Sequence, residues 1–204
     1  MQGVGAMTTH SENKLAIKKK ILDATLGIIG AKGAHHVTSR KIATLAEVNV
    51  AAINYYFGSK DNAVNEALKT FTDALMQSFD HLDNLAVPPE DRIRNFLRSY
   101  ADYSLEYPDV FRNFIEQTLH ESVSSCEYIE FMKQTGLNKV KAAVREITQN
   151  QDEIDLTMKI FQMFSCLELP VLVGDKLQSL AHFDYYDREC RHRYLDWVLK
   201  ALLQ

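Results

Sequence analysis

Thr38-Ser39-Arg40-Lys41-Ile42-Ala43-Thr44-Leu45-Ala46-Glu47-Val48-Asn49-Val50-Ala51-Ala52-Ile53-Asn54-Tyr55-Tyr56-Phe57-Gly58-Ser59-Lys60 is the stretch on which the fold turns. Thr38 is suited to cap a helix, and the spacing after it predicts one from Ser39 to about Ala46, with Ile42, Ala43 and Ala46 facing inward. A second short helix is expected from about Val50 to Phe57, closed by Gly58. Only Glu47-Val48-Asn49 joins the two. Ala43, Val48 and Ile53 are spaced to fill the angle between them. That is the layout of a helix-turn-helix, whose second helix can lie in the major groove of DNA.

The groove is about 12 Å wide, so an entering helix needs small side chains where it approaches closely and a few reaching polar ones. Val50, Ala51 and Ala52 are small and apolar, suited to thymine methyls, while Asn54 and Tyr55 supply reach. Thr38, Ser39, Arg40, Asn49, Tyr56 and Lys60 complete the candidate DNA-binding set, with phosphate contacts expected at its margins. The helix starts at Thr38 and Ser59 direct backbone N–H groups outward, ready for anions. Phe57 reads as core, and Lys18-Lys19-Lys20 as a solvated face near the DNA backbone rather than a reader of sequence.

Working outward, Ile17, Ile21, Ala24 and Ile28 recur at helical spacing up to Lys32-Gly33. On the other side, Ser59 caps a long fourth helix, about 60–84, with Asp61 in its first turn. Pro88-Pro89 breaks the chain, and a helix carrying Ile93, Phe96, Leu97, Tyr100 and Tyr103 is expected to stop before Pro108. Helices are also expected over Asp109 to about His120 and over Cys126 to about Gln149, the latter interrupted at Gly136. The last two helices span about 153–169, with Pro170 kinking or ending the first, and about 184–203. The fold class is all-α, with roughly nine helices: a three-helix helix-turn-helix domain over 10–60 and a second helical domain over 61–204, which the family resemblance given below implies is the ligand-binding and dimerisation domain.

Composition agrees. Of 204 residues, 46% are hydrophobic and 25% charged, the balance of an ordinary globular protein. Eight glycines and four prolines are too few for the turn density of an all-β chain. Charged or polar groups interrupt every apolar run before membrane-spanning length, and Met1 to Met7 lacks the features of a secretory signal. Three separated cysteines, Cys126, Cys166 and Cys190, fit a reducing cytoplasm. Residues 1–60 carry a net +5 and the rest a net −9, so one end suits a polyanion.

Residues of about 14 to 65 resemble the DNA-binding domain of TetR-family transcriptional regulators. The resemblance lies in Ala31-Lys32-Gly33, Thr38 to Ala43, Val48-Asn49-Val50 and Ile53-Asn54-Tyr55-Tyr56-Phe57-Gly58-Ser59-Lys60. It implies a homodimer on a palindromic operator in double-stranded DNA, Val50 to Tyr56 as recognition helix, and a fourth helix linking DNA to a small-molecule effector. Family precedent implies a repressor. It also implies that the last two helices pair between subunits; the stripe Leu156, Ile160, Met163, Phe164, Leu167 and Tyr186, Cys190, Tyr194, Trp197, Val198, Ala201 suits that interface. One departure is Glu47, at a turn position where the family usually has glycine.

The aromatic-rich second domain is expected to hold an apolar pocket, with Phe96, Tyr100, Tyr103, Phe114, Gln117, His120, Phe161, Gln162 and Ser165 as candidates. No metal or cofactor is expected. His35-His36 diverge on any regular element, and Cys190 and His192 do not share a helical face. No catalytic motif is present, which argues against an enzyme. The competing reading, a helical ligand-binding or protein-interaction module without DNA, leaves the basic first third unexplained.

Overall fold

The structure is a computed structural model describing residues 5–119 and 127–203. It is all-α: ten α-helices and no strand among the described residues. The chain divides between Phe71 and Thr72 into two compact units, so the division falls inside the fourth helix.

The first unit contains α1 (Gly5–Lys32), a 3-10 turn (Ala34–His36), α2 (Ser39–Ala46), α3 (Val50–Phe57) and the start of α4 (Lys60–Ser78). Each boundary has a local cause. Gly33 takes φ 82° after α1, and Thr38 Oγ1 accepts from the Lys41 amide to start α2. Asn49 Oδ1 accepts from the Ala51 amide at 2.8 Å to start α3. Gly58 ends α3 at φ 77°, Asn62 Nδ2 donates to the Phe57 carbonyl at 3.0 Å, and Ser59 Oγ accepts from the Asn62 amide. Ile21, Ile28, Ile29, Val37, Ile42, Ala43, Ala46, Ile53, Phe57 and Ala63 form one buried cluster, with Val48 and Tyr56 packed against it. The expected wedge of Ala43, Val48 and Ile53 is therefore present.

The second unit contains the end of α4, a 3-10 turn (Phe79–Asp83), α5 (Pro89–Glu106), α6 (Pro108–Leu119), α7 (Glu127–Phe131), a π-helical turn (Met132–Gly136), α8 (Leu137–Thr148), α9 (Glu153–Ala181) and α10 (Arg188–Leu202). The expected fourth helix of about 60–84 is thus shorter, its last turn tightened into 3-10 geometry. The expected interruption at Gly136 takes the form of the π turn. A Cβ on Gly136 would stand 2.9 Å from Met132 Sδ and 3.2 Å from the Phe79 ring, so this turn needs glycine for close approach.

Pro170 does not end α9, which continues for a further three turns. A proline lacks the N–H that would bond to the carbonyl four residues earlier, here that of Cys166. The Tyr194 hydroxyl, from α10, donates to that carbonyl. The segment Glu153–Gly174 is long and apolar enough to cross a membrane by length and composition, contrary to the expectation from the sequence. The cause is that α9 is apolar on two faces. Leu156, Ile160, Met163, Leu167 and Val171 are buried, while Ile154, Met158, Phe161, Leu169 and Leu172 are exposed.

Aromatic rings fill the centre of this unit. Phe79 meets Phe96 at 4.7 Å and Phe131 at 5.1 Å between centroids, and the Tyr100 and Tyr128 hydroxyls share a buried hydrogen bond of 2.8 Å. Two buried arginines tie helices together. Arg92 reaches Glu146 at 2.6 Å and the Leu82 carbonyl at 3.2 Å. Arg191 holds Asp102 at 2.6 Å and donates to the Tyr185 and Tyr186 carbonyls.

Candidate nucleic-acid interface and ligand cavity

α3 presents Asn49, Val50, Ala51, Asn54 and Tyr55 to solvent while Ile53 and Phe57 anchor its opposite side. Ala52 is half-buried. Tyr55 is 73% exposed, a large ring with no core role. Tyr56 is half-buried, its ring edge-to-face with Tyr55 at 4.9 Å. Thr38 and Arg40 are exposed and Ser39 half-buried at the start of α2. Two of the candidates have other engagements: Asn49 Oδ1 is the N-cap of α3, and Lys60 Nζ stands 2.6 Å from Asp61. Lys41, not among the candidates, donates to the His36 carbonyl at 2.9 Å. Lys14 lies 6.0 Å from the Tyr55 ring centroid, a cation beside the exposed face that sequence reasoning missed because it comes from another helix. Lys18 pairs with Glu66.

Glu47 occupies the turn at φ 55°, ψ 44°, the left-handed region, and its amide reaches the Ala43 and Thr44 carbonyls. Its side chain is exposed. The turn is built without the residue that enters it most easily.

Residues 21–67 match the family model described as bacterial regulatory proteins, tetR family. That stretch, which contains α2 and α3, is thus a DNA-binding domain of the TetR type. A curated TetR-family relative, the HTH-type transcriptional regulator BetI of Rhizobium meliloti (strain 1021), is 30% identical over 81 residues, a match spanning 40% of this chain and 40% of that protein. KstR2 of Mycobacterium tuberculosis, described as a ketosteroid transcriptional regulator, has the same fold with TM-score 0.66 at 16% identity, over 90% of this chain and 93% of that one. PfmR of Thermus thermophilus gives 0.63 at 17%, over 88% and 97%. The TetR fold therefore extends through the second unit. The first unit carries a helix-turn-helix of the TetR type, and the second shares its fold with these regulators.

In the second unit a cavity of about 550 Å³ lies among α6, α7, the π turn, α8 and α9. Its wall is mostly apolar, and Phe114, Phe161 and Ser165 of the expected pocket set line it. Phe96 and Tyr100 are buried in the aromatic core behind it, and Tyr103 and Gln162 are off the wall. The Gln117 side chain and His120 lie outside the described residues. Sequence reasoning missed Tyr128, Lys133, Asn138, Lys141 and above all Glu168, while Met132 and Phe164, which also line the wall, belong to the aromatic and methionine content that suggested a pocket. Burial lifts the Glu168 carboxyl to about 7, and it also pushes the Tyr100 phenol well up, with Tyr128 and Glu168 adding to the effect. The available signal was a lone acid on the apolar side of α9, one turn after Phe164.

The expected interface divides in two. Leu156, Ile160, Met163 and Leu167, and Val198 on α10, are buried within the protomer and have no surface to offer a partner. Phe164 is half-buried and turned to the core, edge-to-face with Tyr100 at 5.9 Å. On α10 the rest of the set is accessible, with Trp197 68% exposed, Ala201 exposed and Cys190 and Tyr194 half-buried; Tyr186, just before that helix, is exposed as well. Tyr186 also packs on Gly174, where a Cβ would come within 2.9 Å of its ring, and accepts from Arg112 at 2.7 Å.

Proposed function

We propose that this chain is a homodimeric, effector-responsive repressor that binds a palindromic operator in the cytoplasm. The supporting observation is the surface of α3: Val50 and Ala51 small and exposed, Asn54 and Tyr55 reaching outward, and a buried Ile53 and Phe57 holding the helix in place. Val50 and Asn54 read bases. Tyr55, Tyr56, Arg40 and the first-turn amides of α2 meet phosphates. Lys60 contributes less than an unpaired lysine, because Asp61 offsets its charge.

Dimerisation uses the outer faces of α9 and α10. Ile154, Met158, Phe161, Ser165, Leu169 and Leu172 make one stripe, and Cys190, Tyr194, Trp197 and Ala201 make another on the neighbouring helix. Pairing these faces between two subunits forms a four-helix bundle, with recognition helices about 34–36 Å apart on two half-sites. The cavity holds the effector. Its occupancy changes the tilt of α4, the helix that passes from one unit into the next, with a coupling of about 1–3 kcal/mol.

The test is binding of the purified protein to its own upstream DNA, with selection from random duplexes if that fails, measured across a salt series. Specific binding that falls steeply with salt supports the reading. Failure to bind any duplex at low salt overturns it and favours the interaction-module alternative.

A further inference from the structure

Among the described residues, Glu168 is the one acidic side chain on the cavity wall. It is largely buried, and no hydrogen bond or ion pair among the described residues engages its carboxyl; burial alone accounts for its raised affinity for a proton. A carboxyl in such a place loses part of its hydration, and no hydrogen bond from the described residues replaces it. Four aromatic rings share the wall: Phe114, Tyr128, Phe161 and Phe164. Ring faces attract cations, most strongly where water is excluded. The two lysines on the wall do not reverse this balance. Lys141 Nζ is held at 3.0 Å by Glu153, and Lys133 is exposed to solvent. Ser165 and Thr157 add hydroxyls suited to orient a ligand.

We propose that the cavity receives an organic cation: an apolar body packed between the aromatic rings, with one positively charged nitrogen against Glu168. This rests on the reading of the second unit as the effector-binding one and names the effector's chemistry. The ligand places a positive charge against Glu168, which no ion pair among the described residues does. An apolar anion meets the Glu168 carboxyl as a repulsion, and a neutral ligand leaves it unpaired.

Glu168 sets the pH dependence. Tyr100 from α5 feels its charge, and Tyr128 from α7, Lys133 from the π turn and Lys141 from α8 share the cavity wall with it. Burial holds the Tyr100 phenol well above its ordinary value, whereas Glu168, raised to about 7, changes charge between pH 6 and 8. Its ionised fraction rises about ten-fold across that interval when its midpoint is near 7.

The experiment is calorimetric titration of the full-length protein, without DNA, with 4-phenylbutylamine, 4-phenylbutan-1-ol and 4-phenylbutyrate. The amine is expected to bind at least ten-fold tighter than the alcohol and the carboxylate at pH 8, and up to about ten-fold more weakly at pH 6. Glu168→Gln is expected to bring the amine to the affinity of the alcohol and to abolish its pH dependence. The alcohol is expected to bind Glu168→Gln at least as tightly as the parent protein, since no carboxyl is then left unpaired, and this reports that the cavity is intact. Equal affinities for the three compounds, a preference for the carboxylate, no binding of the amine, or an amine preference that survives Glu168→Gln overturns the proposal. Operator binding is measured separately, so a failed amine titration beside intact operator binding removes the cation assignment and leaves the regulator reading standing.

Discussion

Tyr194 donates its hydroxyl to the Cys166 carbonyl across 3.3 Å, and Cys166 is the residue four before Pro170. The proline leaves that carbonyl without its helical partner, and a side chain from α10 replaces the missing amide. Tyr194→Phe is therefore expected to cost about 1 kcal/mol in urea unfolding. In a Pro170→Ala background the amide returns, and the same substitution should cost measurably less. A double-mutant cycle with no coupling between the two positions would disprove the link.

Glu47 is the second site where the backbone works against its residue. At φ 55° a glycine avoids the Cβ penalty but gives up unfolded-chain entropy, so the net gain from Glu47→Gly is expected to be about 0.5–1 kcal/mol. Differential scanning calorimetry checks this. Removing a carboxylate from the turn should also leave operator affinity equal or tighter, and a loss of affinity would mean that Glu47 makes a contact of its own.

The two faces of α9 respond differently to charge. Phe161, 76% exposed, and Trp197 are expected to tolerate Asp in the folded protomer while the dimer dissociates, read by sedimentation velocity together with unchanged helical circular dichroism. Leu156→Asp buries a charge in the protomer and is expected to unfold it. A dimer that survives both Phe161→Asp and Trp197→Asp would place the interface elsewhere.

Stability should depend on pH through two carboxyls of opposite sign. Burial raises Glu168 to about 7, so the unfolded chain gives up its proton first and stability is lost as pH rises from about 4.5 through 7. Glu168→Gln is expected to remove that decline, a gain on the order of 3 kcal/mol at pH 8. At Asp102 burial works to raise the carboxyl, but hydrogen bonds and charge from Arg191 and His192 outweigh it and hold it below the usual range, with Arg188 also near. Its contribution is present above about pH 4 and is lost as pH falls below that, so Asp102→Asn should flatten the acid limb of a stability-versus-pH curve.

The helix-turn-helix was legible because its causes are local. Thr38, Asn49, Gly58 and Ser59 each act within three or four residues of where they stand, and Ile42, Ala43 and Ile53 carry the period. α9 was not legible in the same way. Leu156, Ile160, Met163 and Leu167 satisfy helical spacing, and so do Ile154, Met158, Phe161 and Leu169. Periodicity detects both stripes and cannot say which one meets the core. The continuation past Pro170 depends on Tyr194, a partner remote in sequence, and the chemistry of Glu168 depends on walls from four other elements.

The π turn at Met132–Gly136 sets the phase of everything after it. Before it and in its first two residues the cavity is met by Tyr128, Ile129, Met132 and Lys133; after it, by Leu137, Asn138 and Lys141, one residue later than an uninterrupted α-helix would bring them round. Deleting a single residue there would restore the ordinary period and rotate α8 by about 100°. That would carry Asn138 and Lys141 off the wall, and with the same motion turn Val140, Ala143 and Val144 out of the core. Wall and core are thus two readings of one angle. Ligand preference in this chain can drift by substitution at the wall, but an insertion or deletion in the turn alters recognition and stability together.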